Sequence, residues 1–184
     1  MHWSGISFKV YGTIWIRISN HTYIDEVYYL NDTIRRELYW KYLKELEKID
    51  GVNWEESDDE KKTWCNDYLT YEHYKWIDIR YLDQIVGFLI IGTEPDCHPD
   101  CDYFICQSYI LPEFRMRGLM TKTVTEYINA HKGKYCMIIL HNNHSAKSYW
   151  NNLFYDNSFQ QMHLSYFPLR KGEEQYGYEP KVIK

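Results

Sequence analysis

The chain has 184 residues, of which 45% are hydrophobic and 26% charged, so its composition is that of a globular protein and excludes disorder and collagen-like repeats. Its 21 basic and 26 acidic residues give a net charge of −5, and the basic residues are dispersed, so we expect no nucleic-acid partner. Aromatic residues reach 18%, with 19 tyrosines, and they supply a core despite a mean hydropathy of −0.60.

No segment approaches the run of about 20 apolar residues that a membrane helix needs, and the first residues lack the features of a signal peptide. Five cysteines, an odd number, are typical of reduced thiols. We therefore expect a cytoplasmic protein without membrane contact. Cys97, His98 and Cys101 form a fragment of a metal motif, but no second ligand pair follows at regular spacing, so we expect no metal.

The N-terminal part is predicted from its hydrophobic periodicity. Alternating apolar residues over Ile6–Ile18 predict one long strand bent at Gly12, or two short strands. Apolar residues at helical spacing predict a helix over Ile34–Ile49, ended by Gly51. The capping box Ser57-x-x-Glu60 predicts the start of a second helix, and it accounts for the acidic run around it.

A hairpin comes next in the chain. Strands are predicted over Tyr74–Leu82 and Ile85–Ile91, and the short connection between them requires an antiparallel pair. A loop over Gly92–Asp102 then leads to a strand over Tyr103–Leu111.

The remaining elements alternate between helix and strand. We predict a helix over Gly118–Lys132, a strand over Tyr135–His141, a helix over His144–Tyr155 and a last strand over Phe159–Phe167. The strand–helix–strand unit that begins at Tyr103 requires a parallel, right-handed crossover. The sequence therefore predicts one α/β (α+β) domain with a mixed, mostly antiparallel central sheet and helices on both faces.

The segment most informative about chemistry begins where Pro112 ends a strand. A short loop with Arg115 and Arg117 follows, and a helix opens at Gly118. The first turn of a helix presents unpaired N–H groups and a partial positive charge, and glycine lets the backbone approach an anion closely. The loop has neither the Gly-Lys-Ser/Thr of a Walker loop nor the glycines of a dinucleotide fingerprint. It predicts a site for a diphosphate.

Two motifs in this region carry a resemblance to a known family. Arg115-Met116-Arg117-Gly118-Leu119-Met120 resembles motif A of the GNAT family of acyl-CoA-dependent N-acyltransferases, Arg/Gln-x-x-Gly-x-Gly/Ala. Asn143-His144-Ser145-Ala146 resembles a second family motif, Asn-x-x-Ala-x-x-x-Tyr. The chain departs from the pattern at Met120, where a small residue is usual, and at Ser158-Phe159, which replaces Gly-Phe about one helical turn late. The resemblance covers roughly Tyr74–Phe167.

The resemblance implies acetyl-CoA, or a related acyl-CoA, as cosubstrate and no metal. The strands over Tyr103–Leu111 and Tyr135–His141 would splay apart, and the pantetheine arm would occupy the gap as a pseudo-strand. Diphosphate would be bound by the loop and the first helical turn, and pantetheine by the strand end and the second motif. The residues implied are Ile110, Leu111, Arg115, Met116, Arg117, Gly118, Leu119, Met120, Thr121, Asn143 and Ala146.

The resemblance also implies a general acid, but the family's tyrosine position holds Trp150 here. Tyr149 and Tyr155 are the candidates, and Tyr149 is favoured because it stays close to the second motif. Asp102 and Glu113 are candidate bases, with proton loss to water as the alternative.

The expected activity is transfer of an acetyl group to an amine of a small molecule or protein by direct attack. Residues 1–73 would border the acceptor pocket, 74–167 would form the acyl-CoA-binding core and 168–184 a tail, in a monomer or homodimer. The alternatives are a GNAT-like module that binds acyl-CoA or protein without catalysis, and a thiol metal-binding protein that uses Cys97, His98 and Cys101.

Overall fold

The computed structural model describes residues 15–19, 22–26, 32–49, 58–94, 98–164 and 173–181. The strands within these ranges are β1 (Trp15–Ser19), β2 (Thr22–Glu26), β3 (Tyr74–Tyr81), β4 (Gln84–Gly92), β5 (Tyr103–Ile110), β6 (Tyr135–Leu140), β7 (Phe159–Met162) and β8 (Glu173–Pro180). The helices are α1 (Asp32–Leu46), α2 (Asp58–Thr70), α3 (Leu119–Ala130) and α4 (His144–Asp156), with a 3₁₀ turn at Pro112–Phe114. Across these ranges, no helix has the length and apolarity to cross a membrane.

These strands form one mixed sheet in the order β1-β2-β3-β4-β5-β6-β8-β7. The pair β5–β6 is parallel, and every other neighbouring pair is antiparallel. The predicted mixed α/β fold and the hairpin β3–β4 are therefore confirmed. The first predicted strand is described only from Trp15 onward, and Gly12, Gly51, Ser57 and Cys97 lie outside the described residues.

Two predicted elements end more than two residues away from their predicted end. Helix α1 ends one turn before the predicted Ile49, whose N–H donates to the carbonyl of Leu46 at 2.9 Å in a tighter turn. The last predicted strand, Phe159–Phe167, is described only as β7, which ends at Met162.

The assignment of 168–184 as a tail is corrected by β8, which lies between β6 and β7. Its sequence, EEQYGYEP, has no aliphatic residue, so the hydrophobic signal for a strand is missing. Burial in this strand comes from Gly177 and Tyr178. A Cβ at Gly177 would lie 2.8 Å from side-chain atoms of Leu164 and Met162, so glycine allows the close approach here.

The sheet carries a hydrophobic core on each face, and the period-two alternation of the strands divides side chains between them. Ile77 and Ile79 of β3 pack with α3 and α4. Trp76 of β3 packs with Leu38 and Tyr39 of α1 in the core on the other face, which α2 also covers.

A buried ion pair fixes α1 on this second face. Arg35 donates from Nε to Oδ1 of Asp78 and from Nη2 to Oδ2, both at 2.9 Å. The Arg35 side chain is 1% exposed and that of Asp78 0%. The Nη2 of Arg80 lies 4.0 Å from the same carboxylate. The pair sets the position of α1 on β3 and hence of every α1 side chain that faces the sheet.

The sheet opens between β5 and β6. Pairing is limited to Tyr103 with Tyr135, Phe104 with Cys136 and Ile105 with Met137. On its other edge, β5 stays paired with β4 as far as Ile110. The predicted parallel, splayed pair is therefore confirmed, and the gap opens toward the carboxyl ends of both strands.

Candidate active site

A cavity of about 450 Å³ occupies this gap. Its walls come from β5, β6, the first half of α4, the start of β8 and the aromatic faces of α1 and α2. The described lining residues used below are Tyr39, Tyr42, Trp64, Tyr68, Cys106, Gln107, Ser108, Asn143, Ala146, Trp150 and Glu173. The fold thus joins a slot between two strands to a pocket under two helices.

The backbone register of β5 determines which of its polar groups face the gap. The N–H of Leu111 donates to the carbonyl of Val86 at 2.9 Å, so this backbone group faces β4 rather than the gap, where the resemblance had placed pantetheine. Bonding direction alternates along an antiparallel strand, so the polar groups of Ser108 and Ile110 point into the gap. Ile110 therefore keeps its predicted position.

The N-terminus of α3 lies just beyond the end of β5. The first intrahelical bond joins the N–H of Lys122 to the carbonyl of Gly118 at 2.9 Å, so the N–H groups of Leu119, Met120 and Thr121 have no partner in the helix. The first turn contains no acidic residue. Together with the helix dipole, three such donors suit a negatively charged group, and this helix start is called the anion site below.

The loop before α3 has a backbone that glycine alone adopts easily. Gly118 has φ of +71° and Met116 has φ of +60°. When left-handed residues alternate with a residue of negative φ, the successive backbone N–H groups point toward one concave surface. A Cβ at Gly118 would meet no atom within 4 Å. The glycine is therefore required by its conformation and leaves the approach to the helix open.

Arg115, which the resemblance assigns to diphosphate binding, is engaged in an ion pair in the structure. Its guanidinium pairs with both oxygens of Glu45, each at 2.7 Å, and its Nε donates to the carbonyl of Ile110 at 2.9 Å. The same group lies 5.5 Å from the ring centroid of Tyr109, and its hydrogen bond lowers the pKa of Glu45. Arg115 therefore ties the last turn of α1 to the end of β5.

Arg117 remains on the outer side of the loop, and its side chain is exposed. Its guanidinium lies 5.0 Å from the ring centroid of Tyr81 and 5.7 Å from that of Phe114. Such cation–π contacts hold the charge beside the loop without neutralising it.

The second motif forms the start of α4. Oδ1 of Asn143 accepts from the N–H of Ala146 and from Oγ of Ser145, both at 3.1 Å. This is the N-cap arrangement that satisfies free donors of a first helical turn. Asn143 and Ala146 both line the cavity, so the cap places the helix start at the mouth of the gap.

The two candidate acids occupy different surroundings. The Tyr149 hydroxyl lies 3.3 Å from Oγ1 of Thr121 in the first turn of α3, and burial raises its pKa to about 12. Tyr155 is 69% exposed, and the Nζ of Lys181 lies 3.8 Å from its ring centroid. Trp150 is buried against the cavity. The structure therefore brings Tyr149 to the anion site and leaves Tyr155 on the surface.

The two candidate bases are not brought to the cavity. Asp102 precedes β5, and its carboxylate accepts from the N–H of Lys134 at 2.7 Å. Because Asp102 precedes the eight residues of β5, it lies about 26 Å of strand away from Ile110. Glu113 is exposed in the 3₁₀ turn. Among the described lining residues, Glu173 carries a carboxylate; it lies in the segment predicted as a tail.

The aromatic side chains of α1 and α2 were not named individually as site residues, although residues 1–73 were expected to border the acceptor pocket. Tyr42 belongs to the helical pattern that predicts α1, and such a pattern predicts burial without predicting what the buried face contacts. Within the described ranges, no group of three or more His, Cys, Asp or Glu side chains could hold a metal.

The comparisons agree with this geometry. Residues 35–153 match the acetyltransferase (GNAT) family, which is more than half of the 184 residues. No curated protein matches the chain significantly.

Several solved structures share the fold. The ribosomal L7/L12 alpha-N-protein acetyltransferase RimL, in complex with coenzyme A, has a TM-score of 0.61 at 13% identity over 91% of this chain and 98% of its own. The Salmonella typhimurium acetyltransferase that modifies the N-terminal serine of L7/L12 has a TM-score of 0.57 at 13% identity, over 93% and 100%.

The microcin C7 self-immunity acetyltransferase MccE, in complex with acetyl-CoA and AMP, has a TM-score of 0.56 at 16% identity, over 91% and 96%. At these identities the likeness establishes the fold, and the family match establishes the kind of enzyme. The chain belongs to the GNAT family and is an acetyltransferase.

Proposed function

We propose that the protein transfers an acetyl group from acetyl-CoA to a primary amine that enters from the α1–α2 side of the cavity. The observation that carries this proposal is the meeting of two features at the end of β5: an open slot in the sheet and a helix N-terminus with three free donors. The slot suits an extended pantetheine arm, and the donors suit its diphosphate. The N–H groups of Leu119, Met120 and Thr121 bind the diphosphate, and Arg117 adds charge beside them.

The thioester then lies in the cavity between β5 and α4. Attack by the amine on the thioester carbonyl forms a tetrahedral oxyanion, which needs a donor fixed in advance. The N–H of Ser108 or Ile110 points into the gap and supplies this donor. Direct attack is favoured over an acyl-enzyme because no histidine accompanies Cys106 among the described lining residues.

Two proton transfers complete the reaction. The ammonium of the acceptor loses a proton to water, since neither Asp102 nor Glu113 reaches the cavity. Collapse of the intermediate releases the CoA thiolate, which takes its proton from water. The Tyr149 phenol, with a pKa of about 12, keeps its proton at neutral pH and, beside Thr121, donates a hydrogen bond to the diphosphate rather than a proton to the thiolate.

Binding of acetyl-CoA is the first test of this proposal. A ligand at 100 times its dissociation constant stabilises the folded state by about 2.7 kcal/mol, so we expect acetyl-CoA to raise Tm by several degrees in differential scanning fluorimetry. Free acetate and adenosine serve as controls and should leave Tm unchanged. An unchanged Tm at millimolar acetyl-CoA contradicts the proposal, whereas stabilisation without transfer to any amine favours the non-catalytic alternative.

The role of Tyr149 is tested by Tyr149→Phe, which removes only the hydroxyl. Because the hydroxyl lies beside Thr121, we expect the Kd of acetyl-CoA to rise about three- to fivefold while kcat at saturating acetyl-CoA changes less than twofold. Unchanged acetyl-CoA binding with a large loss of kcat would contradict this role and identify Tyr149 as the acid. Tyr155→Phe is the matched control, and its Kd and kcat should equal those of the wild type.

A further inference from the structure

We infer that the acceptor is a small primary amine whose ammonium is its only charge and whose body is apolar or aromatic. This inference rests on the proposed function, because the acceptor must reach the thioester in the same cavity. It is carried by the cavity wall from α1 and α2, which consists largely of Tyr39, Tyr42, Trp64 and Tyr68. We refer to these four side chains as the aromatic wall.

The aromatic wall is held in a defined shape. The ring centroid of Tyr39 lies 5.9 Å from that of Tyr42 and 5.9 Å from that of Tyr68, at interplanar angles of 52° and 61°. The Tyr42 hydroxyl donates to Oε1 of Gln107 on β5, and Nε2 of Gln107 lies 3.5 Å from the Tyr68 hydroxyl. These contacts fix the rings relative to β5, the strand proposed to bind acetyl-CoA. The acceptor and the cosubstrate are therefore held by the same strand.

The charge of the cavity discriminates between classes of amine. Burial raises the pKa of Tyr39 and of Tyr42, so both phenols stay neutral at physiological pH. Among the described lining residues, Glu173 carries a carboxylate and none carries a cationic side chain. The motif arginine, Arg115, is already paired with Glu45.

An ammonium is stabilised in such a cavity by the negative faces of the rings and by the field of Glu173. An acceptor carboxylate or phosphate would be desolvated there without a counter-ion, which is unfavourable. Specificity then arises because the cavity excludes an acceptor's negative charge as well as attracting its ammonium. An amino acid, a nucleotide-linked amine or an acidic peptide N-terminus is therefore a poor acceptor.

The test compares phenylethylamine with phenylalanine, which has the same ring and amine and adds a carboxylate. CoA thiol release is measured at saturating acetyl-CoA. We expect kcat/KM to be at least about tenfold higher for phenylethylamine. Tyr42→Leu should lower this kcat/KM about five- to tenfold, whereas Tyr42→Phe keeps the ring and should retain most of it.

Tyr71→Leu is the matched control, because Tyr71 is 53% exposed and lies outside the aromatic wall. Its kcat/KM should equal that of the wild type, and all variants should bind acetyl-CoA with unchanged Kd. Equal use of phenylalanine and phenylethylamine, or an unaffected Tyr42→Leu, overturns the inference. If both amines are refused, an acidic peptide amine in the same assay separates two failures: its acetylation overturns only the inference, and its refusal also contradicts the proposed function.

Discussion

Thr121→Glu is expected to lower the affinity for acetyl-CoA by about 100-fold, or about 2.7 kcal/mol. Thr121 is exposed in the first turn of α3, where its N–H is one of three donors without an intrahelical partner. A carboxylate there repels the diphosphate and competes for the same donors. The substitution should not weaken the fold, because a negative charge at a helix N-terminus is itself stabilising.

Thr121→Gln is the control, since it has the same shape without charge and equally loses the contact with the Tyr149 hydroxyl. Isothermal titration with acetyl-CoA should give a Kd within about threefold of the wild type for Gln and a much larger Kd for Glu. Because salt screens the repulsion, the affinity of the Thr121→Glu variant for acetyl-CoA should recover in part at higher ionic strength. Titration at two ionic strengths therefore adds a check. Equal affinities for the Glu and Gln variants would contradict the anion site.

The second large effect is expected for stability. Asp78→Ala leaves the guanidinium of Arg35, which is 1% exposed, buried without its partner. Breaking a buried ion pair in this way costs about 3–5 kcal/mol. Urea unfolding followed by tryptophan fluorescence should show this loss as a lower free energy of unfolding. Because the pair holds α1 on the sheet, we also expect weaker acceptor binding.

The double variant Arg35→Met with Asp78→Leu tests the physical reason. It removes both charges together, so it should recover most of the stability that either single substitution loses. Asp59→Ala, which breaks the exposed pair with Lys62, is the surface control and should change the free energy of unfolding much less. If the double variant loses as much free energy of unfolding as Arg35→Met and Asp78→Leu lose separately when added together, the two residues are not a coupled pair.

The part of the site that was predictable from the sequence is the part specified by local backbone. Pro112 and Gly118 mark the end of a strand and the start of a helix, and the geometry at Gly118 with φ of +71° is what a glycine at that position indicates. Asn143 was likewise visible as a helix start. These features depend on neighbours in the chain, so residue type and spacing reveal them.

What escaped prediction depends on contacts between distant residues. The bond from Arg115 to Glu45 joins positions separated by 70 residues, and no pattern in the sequence identifies that partner. The buried residues of the strand β8 are Gly177 and Tyr178, and its other residues are largely polar. It therefore lacks the hydrophobic alternation of the other strands. The aromatic wall was not predicted residue by residue, because which side of a helix faces the cavity depends on where the sheet opens; the sequence indicated only that residues 1–73 border the acceptor pocket.

The most direct measurement of the central claim is the stoichiometry of transfer. The protein is incubated with isotopically labelled acetyl-CoA and phenylethylamine, and labelled amide, CoA thiol and labelled protein are quantified in one reaction. Direct transfer in the gap between β5 and β6 predicts amide and thiol in equal amounts, no label on the denatured protein, and loss of both products in Thr121→Glu at limiting acetyl-CoA. Thiol release without amide, or amide formation unaffected by Thr121→Glu, would contradict the account.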